Sequence, residues 1–301
     1  MGRADGIDWD RHRIRLSDGD ELAFDLLVLA PGVVPTYHHV AGAQRHAIPL
    51  KTMVDAVDLR NSVLRACEKA EAHPDRAAVG STSVVIIGGG SSGVEMAGLA
   101  DFLIPTLAHD HPQLDPEATH ITVLELGDRL LPAFHPALSP YAEQALRRRG
   151  IAVRSNNDVR AVDERGVTVV DGSRVPASTV VWAGGVTAPD WITDLDLPLD
   201  GARVAVEDDL RLAAHPDTFV VGDLAAIRDQ KGRPIPHVAQ AALQSGRHAA
   251  RQIVRIMAGQ PTVADGHLTG RSPSRILPEV PAQPAPERTH RSEPTALGGG
   301  R

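Results

Sequence analysis

Three glycines, Gly88, Gly90 and Gly93, stand in the spacing G-x-G-x-x-G within the stretch "VVIIGGGSSGVEMAG". That spacing suits a ligand carrying phosphates. Gly88 permits a tight turn, Gly90 lets backbone approach a pyrophosphate, and Gly93 lets the following helix pack closely on the preceding strand. Ser91 and Ser92 would open that helix, whose free N–H groups and positive dipole end attract an anion. Glu125 completes the pattern at the end of "HITVLE". A carboxylate at the tip of the next strand accepts hydrogen bonds from a ribose and repels a 2′-phosphate, so the chemistry is binding of NADH rather than NADPH. Glu125 lies further on than the usual distance of about 20 residues. The excess falls in the polar, Pro-rich insertion "PTLAHDHPQLDPEATH".

These residues need particular elements to hold them. The apolar, β-branched run Val84–Ile87 reads as a strand buried on both faces. Residues 91–108 read as the helix, and Ile121–Leu124 as the next strand. Upstream, residues 7–25 alternate loosely and turn at Asp18-Gly19, a hairpin signal. Residues 26–30 give a buried strand stopped by Pro31-Gly32. Thr52 and Asp55 form a capping pair before a helix that runs to about Ala72, with His73-Pro74 as its stop. Downstream, Ser139-Pro140 starts another helix and Gly150 follows its end. A second hairpin turn is expected at Asp171-Gly172. Residues 179–185 and 217–225 read as buried strands ending in glycine. Residues 238–257 read as a helix ended by Gly259. Several buried strands that each end in glycine at a loop are how a doubly wound sheet presents its ligand edge.

The 301 residues suffice for two modest domains, and 42% apolar content allows a sizeable core. A net charge of -7 argues against nucleic acid as the main partner. Cys67 stands alone, which excludes an intrachain disulfide, a C-x-x-C pair and a cysteine-rich metal site. His38-His39 and His109-Asp110-His111 lack further ligands at metal spacing, so no metal site is expected. No apolar run reaches the roughly 18 residues of a membrane span. The N-terminus lacks a signal-peptide core, so the default compartment is the cytoplasm. Residues 259–301 are proline-rich, without aromatic residues or a periodic apolar face, and are expected to be disordered.

In order along the chain, "FDLLVLAPG", "PLKTMVDAVDLR", "GGGSSGVEMAG", "LDPEATHITVLELGDRLLPAF", "VVWAGGV", "FVVGDLA" and "HVAQAALQSGRHAARQI" resemble the type II NADH:quinone oxidoreductases. These belong to the flavoproteins with two dinucleotide-binding domains. The resemblance covers about residues 8–258. It implies an α/β fold in which a Rossmann-like NAD-binding domain (80–187) is inserted into an FAD-binding domain (1–79 and 188–258). It also implies hydride transfer from NADH to FAD and onward to a quinone.

The same resemblance assigns roles. Gly88, Gly90, Ser91, Ser92, Gly93 and Glu125 would hold NADH, and Glu95 would lie near the nicotinamide where it stacks on the flavin. Gly184 and Gly185 would line the nicotinamide pocket, with Ala30 and Gly32 at a flavin-domain strand end. Asp223, after Gly222, would bond the FAD ribityl chain. Ala239 and Gln240 would place a helix N-terminus against the flavin pyrimidine ring, where negative charge develops on reduction. Gln244 would sit near the quinone approach. Other readings of the residues stay open: Glu95 as an exposed first-turn acid, Asp223 as a simple turn residue, Gln240 and Gln244 as a solvated stripe, and Gly184-Gly185 as a strand terminator.

The chain also departs from the family pattern. Members begin with another strand–GxGxxG–helix unit for the FAD diphosphate, and residues 1–30 contain none. The usual Ala-Thr-Gly reads Ala30-Pro31-Gly32. The C-terminal segment that supplies an amphipathic membrane contact is unmatched. The expectation is a piece truncated at both ends, complete for NADH, partial for FAD and without its peripheral membrane contact. Residues 26–30 and 219–221 would then lack part of their cover beside an open sheet edge, with marginal stability. A homodimer is a further expectation. Two rival functions remain: an NAD-binding remnant without FAD, and a flavin-dependent reductase of a soluble electron-transfer protein.

Overall fold

The computed structural model describes residues 2–72, 80–111, 119–229 and 231–264. Strands β1 (Ala4–Asp8), β2 (Arg13–Leu16) and β3 (Glu21–Ala23) form an antiparallel sheet, and the Asp18-Gly19 turn joins the last two. Then follow β4 (Leu27–Leu29), β5 (Val34–Pro35), the short α1 (Ala43–His46), β6 (Ile48–Pro49) and α2 (Met53–Ala72). The capping pair before α2 forms as the residue types demand. Asp55 accepts the Thr52 N–H at 2.7 Å, and Thr52 Oγ1 accepts the Asp55 N–H at 3.1 Å.

Next come β7 (Val84–Ile87), α3 (Ser91–Asp110), β8 (Ile121–Leu124), α4 (Leu138–Arg147) and β9 (Ala152–Arg154). The helix α3 runs through Pro105 to Asp110, so the expected Pro-rich insertion begins as helix. A meander of β10 (Val159–Asp163), β11 (Gly166–Val169) and β12 (Arg174–Pro176) follows, then β13 (Thr179–Trp182). The central sheet has the order β6-β13-β7-β8-β9, all parallel. Alternation along its strands feeds two cores. Ile86, Val123 and Val181 pack with residues of α2, α3 and α4. Val85, Ile87, Leu124, Val180 and Trp182 pack against the meander. Burial on both faces explains why these strands are apolar throughout rather than alternating.

The chain closes with β14 (Val186–Thr187), α5 (Asp190–Thr193), β15 (Leu199–Asp200), β16 (Arg203–Ala205), β17 (Thr218–Val220), β18 (Ala225–Ala226) and α6 (Ala239–Met257). Two pairings tie this segment to the residues before the central unit. β17 runs parallel to β4, and β14 runs antiparallel to β5. A third core, with Leu27, Leu29, Ile192, Phe219, Val220 and Ala249, joins these parts.

One expectation is corrected in part here. Phe219 and Val220 are fully buried and Val221 nearly so, because β4, α6 and the loop from Leu210 to Leu212 enclose them. Only Val28 in this strand pair stays exposed, at 43%. The helix stop at His73-Pro74 and the tail from residue 265 onward lie outside the described residues.

Candidate nucleotide site at the sheet switch point

The turn after β7 lies where the sheet order reverses. From β7 the chain proceeds to β8 and β9 on one side, then returns to β13 on the other. Open α/β sheets bind ligands at the C-terminal strand ends beside such a switch. Two glycines are required there sterically. A Cβ on Gly88, whose φ is +109°, would collide with the Ala183 carbonyl, and one on Gly93 would collide with the Gly88 carbonyl. A Cβ on Gly90 would meet nothing within 4 Å, so this residue faces open space where a ligand can approach. The first turn of α3 holds no acid of its own beside Ser91 and Ser92.

Glu125 is buried, at 9% exposure, and its carboxylate bridges two loops. Oε2 accepts the Gly89 N–H at 2.6 Å and Oε1 accepts the Gly127 N–H at 2.7 Å. Each oxygen keeps a further lone pair for a ribose hydroxyl.

Two adjoining cavities extend from this turn. The first, of about 260 Å³, reaches from Gly90, Ser91 and Ser92 past Trp182 and Gly185 to Lys51, Arg203 and His237. The second, of about 640 Å³, lies between α3, α4 and the start of α6, where Glu95, Ala239 and Gln240 meet. Glu95 and the α6 N-terminus therefore line one cavity. Gln244 sits half-buried one turn further along α6 and lines neither cavity, and neither do Ala30 and Gly32 at the end of β4.

The strand-end turns are braced by residues to which sequence reasoning gave no such role. His38 Nε2 donates to the Gly184 carbonyl at 3.2 Å, and Trp182 Nε1 donates to the Thr36 carbonyl at 2.8 Å. His38 thus steadies the Gly184-Gly185 turn. Gly222, at φ +72°, donates its N–H to Ser245 Oγ at 3.0 Å, which locks this turn to α6. Asp223 is half-buried, with Lys51 Nζ 3.7 Å away. Arg203 donates to the Ile235 carbonyl at 2.7 Å and contacts His237 Nδ1 at 3.1 Å. Burial, reinforced by the Arg203 and Lys51 cations and opposed by Asp223, pushes His237 down to about 4. Lys51 and His237 lie within the quoted motifs, whereas Arg203 carried no local signal at all.

The glycine turn at the switch point and the acid on the neighbouring strand have the form of a dinucleotide fingerprint in an α/β protein. A sequence profile of the pyridine nucleotide-disulphide oxidoreductases matches residues 1–246, and the chain belongs to that family. It is 33% identical over 248 residues to the type II NADH:quinone oxidoreductase NdhA of Mycobacterium tuberculosis, covering 78% of this chain and 52% of that protein. It is 29% identical over 260 residues to the type II NADH:quinone oxidoreductase of Staphylococcus aureus, covering 85% and 64%. The chain thus spans between about half and two thirds of the length of these relatives.

Solved structures share the fold. The sulfide:quinone oxidoreductase of Aquifex aeolicus superposes with a TM-score of 0.69 at 19% identity, over 86% of this chain and 61% of that one. The NDH2 of Plasmodium falciparum in complex with NADH gives 0.65 at 21% identity, over 75% and 50%. Among the described residues no helix is long and apolar enough to cross a membrane.

Proposed function

We propose that this chain binds NADH across the Gly88–Gly93 turn and serves as the nucleotide-oxidising part of a flavoprotein that passes electrons to a quinone. The observation that carries this reading is the Glu125 carboxylate, buried at the strand tip and bonded to Gly89 inside the glycine turn. In that position it would receive the adenosine ribose and repel a 2′-phosphate. Ser91, Ser92 and the α3 N-terminus would take the pyrophosphate. Glu95 would flank the nicotinamide end, together with Gly184 and Gly185.

The residues fit part of FAD. The left-handed Gly222 presents Asp223 at a strand end, and the α6 N-terminus carries no first-turn acid. Asp223 would accept from ribityl hydroxyls, while Ala239 and Gln240 would set the helix dipole against a pyrimidine edge. When bound, FAD supplies the two-electron acceptor that the polypeptide lacks. Gln244 is assigned to the quinone approach, with Ala30 and Gly32 beside the flavin. The division into 1–79 with 188–258, and 80–187, follows the same reading, although β6 and α2 pack on the central sheet. A cytoplasmic homodimer completes it.

A second reading is NADH binding without flavin. One experiment separates the two. The purified chain is inspected for flavin absorbance and then given NADH anaerobically. Yellow protein that bleaches supports the flavoprotein. Colourless protein that still binds NADH supports the second reading.

A further inference from the structure

His237 stands in the walls of both cavities, between Pro236 and the first turn of α6. Its Nδ1 lies 3.1 Å from Arg203 Nη2. A guanidinium only donates, so Nδ1 accepts, and the neutral ring carries its proton on Nε2. That Nε2 is closed to solvent and has no partner among the described residues. A buried donor left unpaired is costly, and such groups in native structures call for an explanation.

The order of groups along the site supplies one, granted the NADH reading proposed above. Glu125 takes the adenosine ribose, the turn at Gly90 takes the phosphates, and what remains of the dinucleotide extends into the cavities toward His237. That end is the nicotinamide ring, and its carboxamide carries the ring's hydrogen-bonding groups.

We propose that Arg203 and His237 read the nicotinamide carboxamide: Arg203 holds the tautomer, and His237, on a shift of its ring toward the cavity, presents Nε2–H to the carboxamide oxygen. His237 is then a ligand contact, and Arg203 is a positioning residue acting through it. Lys51 lines the same cavity but lies on the Asp223 side, paired with that carboxylate, and is left out of the contact.

The test compares two ligands by titration calorimetry on the purified chain. NAD⁺ carries the carboxamide, and ADP-ribose lacks the nicotinamide ring. His237→Phe is expected to weaken NAD⁺ binding about tenfold, as for one lost buried hydrogen bond, and to leave ADP-ribose binding unchanged. His237→Gln, which restores an N–H donor, is expected to recover part of the loss. Arg203→Met should resemble His237→Phe, whereas Arg203→Lys, which still donates to Nδ1, should retain most NAD⁺ affinity. Unaltered NAD⁺ binding in His237→Phe would overturn the inference, and so would an equal loss for both ligands. Failure of the wild-type chain to bind ADP-ribose would instead sink the dinucleotide reading itself, and this inference with it.

Discussion

Glu125 and Gly89 are joined by a hydrogen bond of 2.6 Å from the Gly89 N–H to Oε2, so the acid that would select the cofactor also shapes the glycine turn. Its other oxygen is held at 2.7 Å by the Gly127 N–H. On the proposed reading, stability and nucleotide preference are therefore coupled at this side chain.

Replacement by glutamine exposes that coupling. Glu125→Gln leaves one of the two backbone N–H groups facing an amide NH₂ instead of an oxygen. The expected cost is about 1–3 kcal/mol, read as a lower denaturation midpoint. Discrimination against NADPH should relax in the same variant, measured by competitive titration. Unchanged stability and unchanged preference together would remove Glu125 from both roles.

Two glycines of the turn should differ in their effect on stability. Gly93→Ala forces a Cβ against the Gly88 carbonyl, so α3 must shift. A loss of about 1–3 kcal/mol is expected, together with loss of nucleotide binding. Gly90→Ala meets open space. Its melting temperature should stay near wild type while dinucleotide affinity falls, because the methyl occupies the ligand's approach.

The capping pair at α2 gives a purely structural control. Thr52→Ala removes the oxygen that accepts the Asp55 N–H, and a cost of about 1 kcal/mol is expected by chemical denaturation. Nucleotide affinity should not change.

Acid should act through His237. Its ring lies below the ordinary 6.5, at about 4, because burial and the Arg203 and Lys51 cations outweigh Asp223. Between those values the unfolded chain binds the proton more readily than the folded one. Stability from this group is therefore present above about pH 6.5 and is lost as pH falls toward 4. Melting curves across that window should decline less in His237→Gln than in wild type.

Asp223 and Lys51 separate binding from stability. The pair is half-exposed and 3.7 Å apart, so Asp223→Asn should change folding by less than about 1 kcal/mol. If Asp223 receives the ribityl chain, the same variant should retain markedly less FAD after gel filtration.

Local sequence determined the turn and the elements around it. Gly93 is required by its close approach to the Gly88 carbonyl, the apolar run Val84–Ile87 by burial on both faces, and the start of α2 by Thr52 and Asp55. Each of these is a short-range relation, encoded in residue type and period. What only the tertiary structure decided is which distant groups meet. Placing β13 beside β7 sets Ala183 against Gly88, and pairing β17 with β4 buries Phe219, which the sequence had suggested would lack part of its cover. The meeting of Arg203 with His237, and of Lys51 with Asp223, depends on strand order and on the path of the loops between them. Residue periodicity reports which face of an element is buried but not what lies opposite, so these contacts left no mark that could be read along the chain.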